Sequence, residues 1–337
     1  MHTKALFLLL GVIALHVARR RARAPRKPVS VNFHFDRRCN YQCGFCFHTA
    51  KTSHVEDLAT IRAALLKLRN AGMKKINFSG GEPFLQPKLL GEMVEFCAQV
   101  LKLESVSIVS NGSLIQEVWM RKYARHVDIL AVSCDSFDVD TNKAIGRGGR
   151  GRSDGAEGHV ERLRKVRKWC ENYDVTFKLN TVVCTLNVKE DMTAHVRELK
   201  PVRWKVFQCL LLKGENAGSG ALRDATSLTV SDEEFNEFVE RHRACAQVRG
   251  WVVAENNSTM RDSYLILDEH LCFLNCTGDD KRPSVSIRDS SVEEALAQAG
   301  FNEQAFLDRS GRYEWTKASR GRGGCGSHEK TDASLEW

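Results

Sequence analysis

The sequence predicts an α/β fold in which a parallel sheet curls into a partial (βα)6 barrel. From residue 29 onward, strand-like runs alternate with segments of helical periodicity, and six such units follow one another up to residue 212. Successive units of this kind form parallel sheets, because each crossover packs back onto the sheet with the same hand. Glycine turns, serines and cysteines collect directly after the strand-like runs, where such barrels hold their reactive groups.

The elements of the barrel follow in a regular order. Predicted strands occupy residues 31–35, 75–78, 106–109, 129–132, 175–183 and 204–212. Predicted helices occupy residues 55–71, 89–101, 115–123, 159–170 and 190–199. With 337 residues and 42% hydrophobic content, the chain can bury one large core. The predicted organisation is a leader (residues 1–28), a barrel (29–212) and a C-terminal extension (213–337).

The leader joins an apolar run to a basic one. Residues 5–18 form an apolar stretch, too short for a bilayer span of about twenty residues. The basic stretch 19–27 follows this run, whereas a secretory signal places its positive charge before the run. We therefore predict that residues 5–27 anchor the chain on a membrane surface and hold the rest in the cytosol. A cleaved signal is the alternative.

The formal net charge of +8 does not indicate a protein that binds nucleic acid. Seven of these charges come from the leader, which contains seven lysines and arginines and no acidic residue. The rest of the chain is nearly neutral, so a general nucleic-acid surface is excluded. Twelve cysteines in a chain of this length do not make a disulfide scaffold, so the catalytic part is expected to face a reducing compartment.

Three cysteines within eight residues carry the strongest chemical signal. Cys39, Cys43 and Cys46 have the spacing C-x3-C-x2-C, and the motif supplies no fourth cysteine. A [4Fe-4S] cluster held by three thiolates keeps one iron with an open position, where a small chelating molecule can bind. A zinc site is the alternative, although zinc sites usually have four protein ligands. His48 is either a further ligand or a packing residue behind the loop.

The remaining cysteines have a simpler interpretation. Five of them fall within apolar patterns, where cysteine acts as a small hydrophobic residue: Cys97, Cys134, Cys170, Cys184 and Cys209. The other four cysteines leave one alternative open, a second iron-sulfur cluster formed by Cys272 and Cys276 with Cys245 or Cys325. The glycine-rich segment 143–152 contains Arg147, Arg150 and Arg152 and predicts an exposed cationic loop, with anion contact as the alternative.

Polar residues on the fifth and sixth strands indicate an anionic ligand. Residues two apart on a strand share a face, so Lys178 lies beside Asn180, and Arg203 lies beside Lys205. If that face is the barrel interior, three cations meet in a cavity with little water and require an anion. Several cations fit a polyphosphate better than a single carboxylate. The alternative is that these side chains face outward between helices.

The cysteine spacing, with Phe45 before the last cysteine, resembles that of radical S-adenosylmethionine (SAM) enzymes. In that family, the amino and carboxylate groups of SAM chelate the open iron. The turn Gly80-Gly81-Glu82-Pro83 resembles the family turn that meets the SAM amino group. The resemblance also implies that Phe45 packs near the adenine and that Ser110 and Ser133 bind the ribose or carboxylate of SAM. Each serine could equally well terminate a strand.

Longer runs resemble the viperin family of radical SAM nucleotide dehydratases. They are residues 74–85, 106–113, 203–209 and 262–268, within a resemblance that covers residues 29–318. The family's product is 3′-deoxy-3′,4′-didehydro-CTP, an antiviral chain terminator made from CTP. A 5′-deoxyadenosyl radical takes the 4′ hydrogen of CTP, and the 3′ hydroxyl leaves as water.

The same resemblance implies a substrate pocket and partners. Residues in contact with the nucleotide, the basic ones at the triphosphate, would be Asn32, Lys178, Asn180, Arg203 and Lys205. Tyr264 would lie near the sugar, where it positions the ring or delivers a proton. In the family, the tail covers the nucleotide at the barrel mouth and its end helps recruit the cytosolic iron-sulfur assembly machinery, here through Trp337. The segment 319–331 departs from the family pattern as a glycine-rich insertion.

The resemblance also implies a location on the cytosolic face of the endoplasmic reticulum and on lipid droplets, and an electron donor that the sequence does not identify. Two other functions stay open. A radical SAM maturase that acts on a peptide or another nucleotide would share the cysteine motif. A membrane-tethered interaction protein with a structural cluster would cleave no SAM with any nucleotide.

Overall fold

The computed structural model describes residues 27–148, 157–244, 251–278, 280–309 and 311. Predictions for residues 1–26 of the leader, for Arg150 and Arg152, and for the tail that ends in Trp337 lie outside these residues. The strands are β1 (Ser30–His34), β2 (Lys75–Ser79), β3 (Ser105–Ser110), β4 (Ile129–Ser133), β5 (Thr176–Val183), β6 (Arg203–Gln208), β7 (Val252–Glu255), β8 (Ile266–Leu267), β9 (Cys272–Asn275) and β10 (Arg282–Ser286).

The α-helices within the described ranges lie between and after these strands. They are α1 (Leu58–Asn70), α2 (Pro87–Glu95), α3 (Glu117–Tyr123), α4 (Val139–Ile145), α5 (Glu157–Asn172), α6 (Thr193–Leu199), α7 (Asp232–Ala244), α8 (Asn257–Met260), α9 (Val292–Gln298) and α10 (Glu303–Asp308). The N-cap of α1 is Asp57, whose carboxylate accepts hydrogen bonds from the backbone N–H groups of Ala59 and Thr60. None of the described helices is long and apolar enough to cross a bilayer.

The first six strands confirm the predicted barrel. Each of β1 to β6 pairs in parallel with the next strand along the chain, and β7 continues the series beyond β6. The sheet order is β10-β9-β8-β1-β2-β3-β4-β5-β6-β7, so β7 and β10 are its outer strands. The barrel is therefore open, in agreement with the predicted partial closure.

The chain after residue 212 adds strands at both edges of this sheet. At one edge β7 pairs with β6, and at the other β8 pairs in parallel with β1. The last two strands, β9 and β10, continue from β8 in antiparallel pairing. The described part of the extension is therefore built into the barrel wall, and β1 lies in the interior of the sheet rather than at its edge.

Two predicted elements end earlier than expected. The helix predicted over 89–101 is α2 followed by a π-helical turn, Phe96–Val100. The sixth strand stops at Gln208 because the side chain of Asn216 forms hydrogen bonds with the backbone groups that follow. That side chain donates to the carbonyl of Leu210 at 2.9 Å and accepts from the N–H of Leu212 at 2.7 Å. A side chain thus satisfies backbone groups that a neighbouring strand would otherwise pair.

Alternation along the strands separates an apolar outer face from a polar interior. Phe33 and Phe78 are buried in the main hydrophobic core. Their neighbours on the opposite face form a ladder across three strands, in which Asn77 donates to Asn32 at 2.9 Å and accepts from Ser107 at 3.0 Å. The interior of the barrel is therefore lined with hydrogen-bonding groups, as a polar ligand requires.

Candidate active site

The cysteine loop lies between β1 and α1, at the carboxyl end of the first strand. The sulfur of Cys39 accepts from the N–H of Tyr41 at 3.4 Å and from the amide of Asn111 at 3.8 Å. Burial raises the pKa of Cys39 and of Cys43 to about 12, and neighbouring thiolates add to the effect at both. The thiols are therefore neutral in the cluster-free protein, and iron must displace their protons when it binds.

The donors present fit a cluster better than a single metal ion. The sulfur of Cys39 receives two N–H groups, as thiolates around an iron-sulfur cluster do, and Cys43 and Cys46 lie close enough to act on its pKa. In the described ranges, no three His, Cys, Asp or Glu side chains are arranged to hold one metal ion. A cluster does not require that arrangement, because each cysteine binds a different iron. The zinc alternative therefore has no support in the described structure.

His48 packs behind the loop. Its ring is buried, with Nδ1 3.4 Å from the ammonium of Lys281, and meets the ring of His34 edge-on at 4.5 Å between centroids. Burial lowers the pKa of His48 well below its ordinary value, and His34 and Lys281 lower it further. Its partners are therefore other side chains of the protein, which favours the packing role over ligation.

The glycine turn supports the chain that leads into Cys39. The N–H of Gly81 donates to the carbonyl of Asp36 at 2.7 Å, and the N–H of Glu82 donates to that of Arg38 at 2.8 Å. A Cβ atom on Gly81 would lie 1.9 Å from the carbonyl oxygen of Arg38, and one on Gly80 would lie 2.3 Å from that of Asp36. Only glycine allows the two backbones to approach this closely.

Replacing Gly81 with alanine is therefore expected to push the backbone of residue 38 away and displace Cys39. We expect a loss of about 3 kcal/mol in the free energy of unfolding, together with reduced iron loading. Urea denaturation and iron analysis would measure both. The matched control is Gly220→Ala, where φ is +75° but no atom lies within 4 Å of the added Cβ. Equal losses in the two variants would contradict this role of the turn.

The side chains of Glu82 and Ser110 bind each other rather than an open cavity. One oxygen of Glu82 accepts from the hydroxyl of Ser110 at 2.8 Å, and the other accepts from the N–H of Asn111 at 2.8 Å. Burial raises the pKa of Glu82, which is fully enclosed. In the structure both side chains hold the turn against the Asn111 segment. Contact of SAM with the side chains of Glu82 and Ser110 stays a prediction. Contact of SAM with Gly80 and Gly81 stays a prediction as well.

Phe45 and Ser133 lie at different depths in the same region. Phe45 is buried in a small apolar cluster with Ile145 and Cys209, and its carbonyl accepts from Asn216 at 3.0 Å. Ser133 ends β4, is half-buried, and lies opposite Asn180 on β5. Packing of Phe45 against an adenine and binding of SAM by Ser133 also stay predictions.

The described part of the glycine-rich segment, residues 143–148, is not the exposed loop that its composition predicts. Arg147 is buried, and its guanidinium donates to the fully enclosed carboxylate of Asp135. The carbonyls of Ile145 and Gly146 accept hydrogen bonds from the cysteine loop, at 2.9 Å from Gly44 and 3.1 Å from Gln42. These hydrogen bonds support the cysteine loop. The ion pair with Asp135 offsets the desolvation cost of burying the arginine.

Of the three cations predicted from the far strands, Lys178 and Arg203 are buried in the barrel and Lys205 is largely enclosed beside them. Lys178 and Arg203 lie opposite each other on β5 and β6, and each exposes less than a twentieth of its surface. Burial lowers the pKa of Lys178 well below its ordinary value, and Arg203, Lys205 and Lys75 lower it further. The alternative that these cations face outward is therefore wrong. Asn180 lies beside them, opposite Lys205.

Three charged residues of this cavity were missed from the sequence. Lys75 lowers the pKa of Lys178. It lies two residues before Asn77 on β2, so the strand pattern could have placed it on the same inward face. Glu255 ends β7 and is buried, with its carboxylate bonded to the ammonium of Lys205. Arg309 lies 3.7 Å from that carboxylate. Neither Glu255 nor Arg309 could be placed, because the strand and helix that carry them were not predicted.

Tyr264 joins this charged group. Its hydroxyl donates to Glu255 and lies 3.1 Å from the ammonium of Lys205, while the guanidinium of Arg309 stacks 3.7 Å from the ring centroid. Asn32 reaches the same wall of the barrel, where its amide donates to the carbonyl of Leu265 at 3.4 Å. The structure thus brings Tyr264 to Lys205, one of the predicted phosphate ligands, and places Asn32 on the strand that pairs with β8.

Comparison with known proteins identifies the family. The model of the radical SAM superfamily matches residues 34–199. The chain is 52% identical to S-adenosylmethionine-dependent nucleotide dehydratase RSAD2 of Danio rerio, over 94% of this chain and 83% of that relative. It is 53% identical to the protein of the same name in Siniperca chuatsi, over 87% and 80%. A nucleotide dehydratase of Flammeovirga pacifica is 32% identical, over 85% and 96%.

Solved structures of other radical SAM enzymes share the fold. Streptococcus suis SuiB bound to SAM superposes with a TM-score of 0.61 at 14% identity, over 91% of this chain and 74% of that one. The enzyme anSMEcpe with bound AdoMet gives a TM-score of 0.60 at 17% identity, over 82% and 83%. The chain therefore belongs to the viperin family of S-adenosylmethionine-dependent nucleotide dehydratases, and it is a radical SAM enzyme that uses SAM and an iron-sulfur cluster to act on a nucleotide.

Proposed function

We propose that this enzyme converts CTP to 3′-deoxy-3′,4′-didehydro-CTP, with a [4Fe-4S] cluster on Cys39, Cys43 and Cys46. The observation that carries the proposal is the group of cations that the described residues gather in the barrel. Lys178 and Arg203 are buried, and Lys75, Lys205 and Arg309 are partly buried near them, with Glu255 bonded to Lys205. Several cations gathered in a place with little water favour the binding of an anion there. A triphosphate supplies several negative charges in one ligand.

The residues of the chain divide the work of the reaction. Bound SAM would supply the 5′-deoxyadenosyl group that takes the 4′ hydrogen of CTP. Arg203 is suited to bidentate contact with phosphate oxygens, and Lys178 and Lys205 act as point charges. Held by its triphosphate, the nucleotide would present its sugar toward the cysteine loop, with Asn32 and Asn180 beside it. Once the tail covered the barrel mouth, the polar cavity would exclude bulk water from the reactive sugar.

Tyr264 is proposed to act at the sugar. Formation of the alkene removes the 4′ hydrogen and the 3′ hydroxyl, and needs one further electron and proton. The hydroxyl of Tyr264 is held by Glu255 and Lys205 within one hydrogen-bonded group. This fixed position suits a residue that orients the ribose, and the proton-donating role is the alternative.

Substrate identity is tested by anaerobic reconstitution with iron and sulfide. Reduced protein would be incubated with SAM, dithionite and CTP, UTP, GTP or ATP in separate reactions, followed by mass spectrometry of the nucleotides. We expect 5′-deoxyadenosine and a dehydrated nucleotide with CTP. A product from another nucleotide, with none from CTP, would overturn the proposed substrate. Turnover of a peptide alone would favour a maturase.

CTP binding is expected to take up protons and to weaken as pH rises from about 7 to 9. Burial lowers the pKa of Lys205 to about 8, with Arg309 lowering it further, and lowers that of Lys178 well below its ordinary value. A bound triphosphate favours the ammonium forms and raises both pKa values, so protons bind together with the nucleotide. Titration calorimetry in Hepes and Tris at pH 8 would measure the uptake. Binding without proton exchange would contradict lysine contact with the phosphates.

The proposed partners and location follow the family. The tail ending in Trp337 is proposed to cover the nucleotide and to recruit the cytosolic iron-sulfur assembly machinery, and a separate protein is proposed as electron donor. Residues 5–27 are proposed to attach the enzyme to the cytosolic face of the endoplasmic reticulum and to lipid droplets. The apolar run followed by basic residues supports this. Deleting residues 5–27 should release a fluorescent fusion from these membranes in cells.

A further inference from the structure

Two buried cations and two buried carboxylates meet behind the cysteine loop, outside the nucleotide cavity. Arg37 donates to Glu215 at 2.9 Å and to Glu269 at 2.7 Å, and Lys281 lies 3.6 Å from Glu215. The side chains of all four expose less than a tenth of their surface. We refer to Arg37, Glu215, Glu269 and Lys281 as the buried charge network. Its formal charges cancel, so it needs no further ligand.

The buried charge network contacts the backbone on both sides of the cysteines. Arg37 itself lies two residues before Cys39 and donates to the carbonyl of Thr49 at 3.1 Å. The second oxygen of Glu215 accepts from the N–H of Thr49 at 2.9 Å and from its hydroxyl at 2.7 Å. Lys281 donates to the carbonyl of Phe47, directly after Cys46. The loop is thus held at its entry and at its exit.

Three of these contacts come from distant parts of the chain. Glu215 follows the sixth strand, Glu269 lies between β8 and β9, and Lys281 immediately precedes β10. The loop itself has no regular secondary structure between β1 and α1. Before a cluster is bound, the loop depends on such contacts for its shape.

Lys281 also places a positive charge near Cys46. Its ammonium is bonded to the carbonyl of Phe47, the residue that follows Cys46. The ammonium is enclosed between the carboxylate of Glu215 and the ring of Phe47, whose centroid lies 4.8 Å away. A fixed positive charge beside a cluster ligand favours the reduced, more negative cluster, because reduction adds an electron.

We propose that Lys281 is a positioning residue of the iron-sulfur site, which fixes the backbone after Cys46 and places one buried positive charge beside that cysteine. The other members of the buried charge network hold Lys281 and the two ends of the loop in place. This inference rests on the proposed cluster, and it is independent of the nucleotide that the enzyme uses.

The test compares Lys281→Met, which keeps the length of the side chain but removes the charge, with Lys281→Arg, which keeps the charge. The control is Lys74→Met, which removes an exposed partner of Glu104. In cluster-free protein, amide hydrogen exchange of residues 46–50 is followed by peptide mass spectrometry. In reconstituted protein without nucleotide, iron content and the reduction potential of the cluster are measured by redox titration with electron paramagnetic resonance.

We expect Lys281→Met to raise amide hydrogen exchange in residues 46–50 on the order of tenfold and to shift the potential to a more negative value. Lys281→Arg should restore most of both properties, and Lys74→Met should match the parent protein. Unchanged exchange and potential in Lys281→Met would overturn the inference. So would an arginine variant as impaired as the methionine variant. A parent protein that binds no iron would instead refute the proposed cluster.

A second variant keeps the inference testable if Lys281→Met does not fold. Thr49→Val removes the hydroxyl bond to Glu215 and leaves every charge of the network in place. We expect amide exchange in residues 46–50 to be severalfold faster with no change in cluster potential, because the support is weakened while the charge stays. Unchanged exchange would overturn the proposed support of the loop.

Discussion

Replacing Cys43 with alanine is expected to abolish SAM cleavage and to remove most of the iron. The three cysteines are the complete set of thiolates in the motif, and two cannot hold a cluster that keeps one iron open. Measured after anaerobic reconstitution, iron and sulfide should fall severalfold, and 5′-deoxyadenosine should fall to background. The expected effect is the largest that a single substitution in this chain can have, because every later step depends on the cluster.

The matched control for this experiment is Cys272→Ala. Cys272 is also a partly exposed free cysteine, but it begins β9 and lies outside the C-x3-C-x2-C loop. We expect it to keep the iron content and SAM cleavage of the parent enzyme. An equal loss of iron in Cys272→Ala would instead support the second cluster considered above. Normal iron and normal cleavage in Cys43→Ala would refute the assigned cluster ligands.

Replacing Lys205 with alanine is expected to weaken CTP binding about a hundredfold, or about 2.8 kcal/mol, while leaving the iron content unchanged. Lys205 is largely enclosed on β6 and hydrogen-bonded to Glu255 and Tyr264. Its removal takes one cation from the phosphate site and leaves the Glu255 carboxylate with less positive charge around it. That carboxylate would then repel an incoming triphosphate.

Titration calorimetry with CTP would measure this loss, and iron analysis of the same preparation would show that the cluster site is intact. Lys88→Ala is the matched control, because it removes an exposed lysine from the first turn of α2, away from the cavity. It should bind CTP like the parent enzyme. If Lys205→Ala lost its iron but kept normal CTP affinity, the residue would not belong to the nucleotide pocket.

The barrel strands could be predicted because their signal is local. Alternation of apolar and polar residues in β1, β2 and β5 identifies the strands and also shows which side chains face inward. The two late strands β7 and β8 have four and two residues, too few for alternation to stand out. What holds β8 in place is its pairing with β1, a contact between residues far apart in the sequence. No local sequence pattern can identify a pairing partner that lies so far away along the chain.

The site shows the same division between local and distant information. The cysteine motif and Lys178 were recognisable because spacing and strand position identify them. Arg147 was wrongly predicted to be exposed because the segment around it is rich in glycine and arginine. Its burial depends on Asp135, which follows β4 and lies far from any local pattern around Arg147. Glu82 and Ser110 bind each other across 28 positions, so a motif alone could not show which of their atoms stay available.

The place of β1 between β2 and β8 has a consequence for how the enzyme matures. A nascent chain that has emerged only as far as β6 has its cysteines but lacks the strand that completes their side of the sheet. Glu269 and Lys281, which brace the cysteine loop, emerge from the ribosome later still. We therefore expect the chain to accept its iron and sulfide only after translation is almost complete, when its last third has folded back onto its first strand.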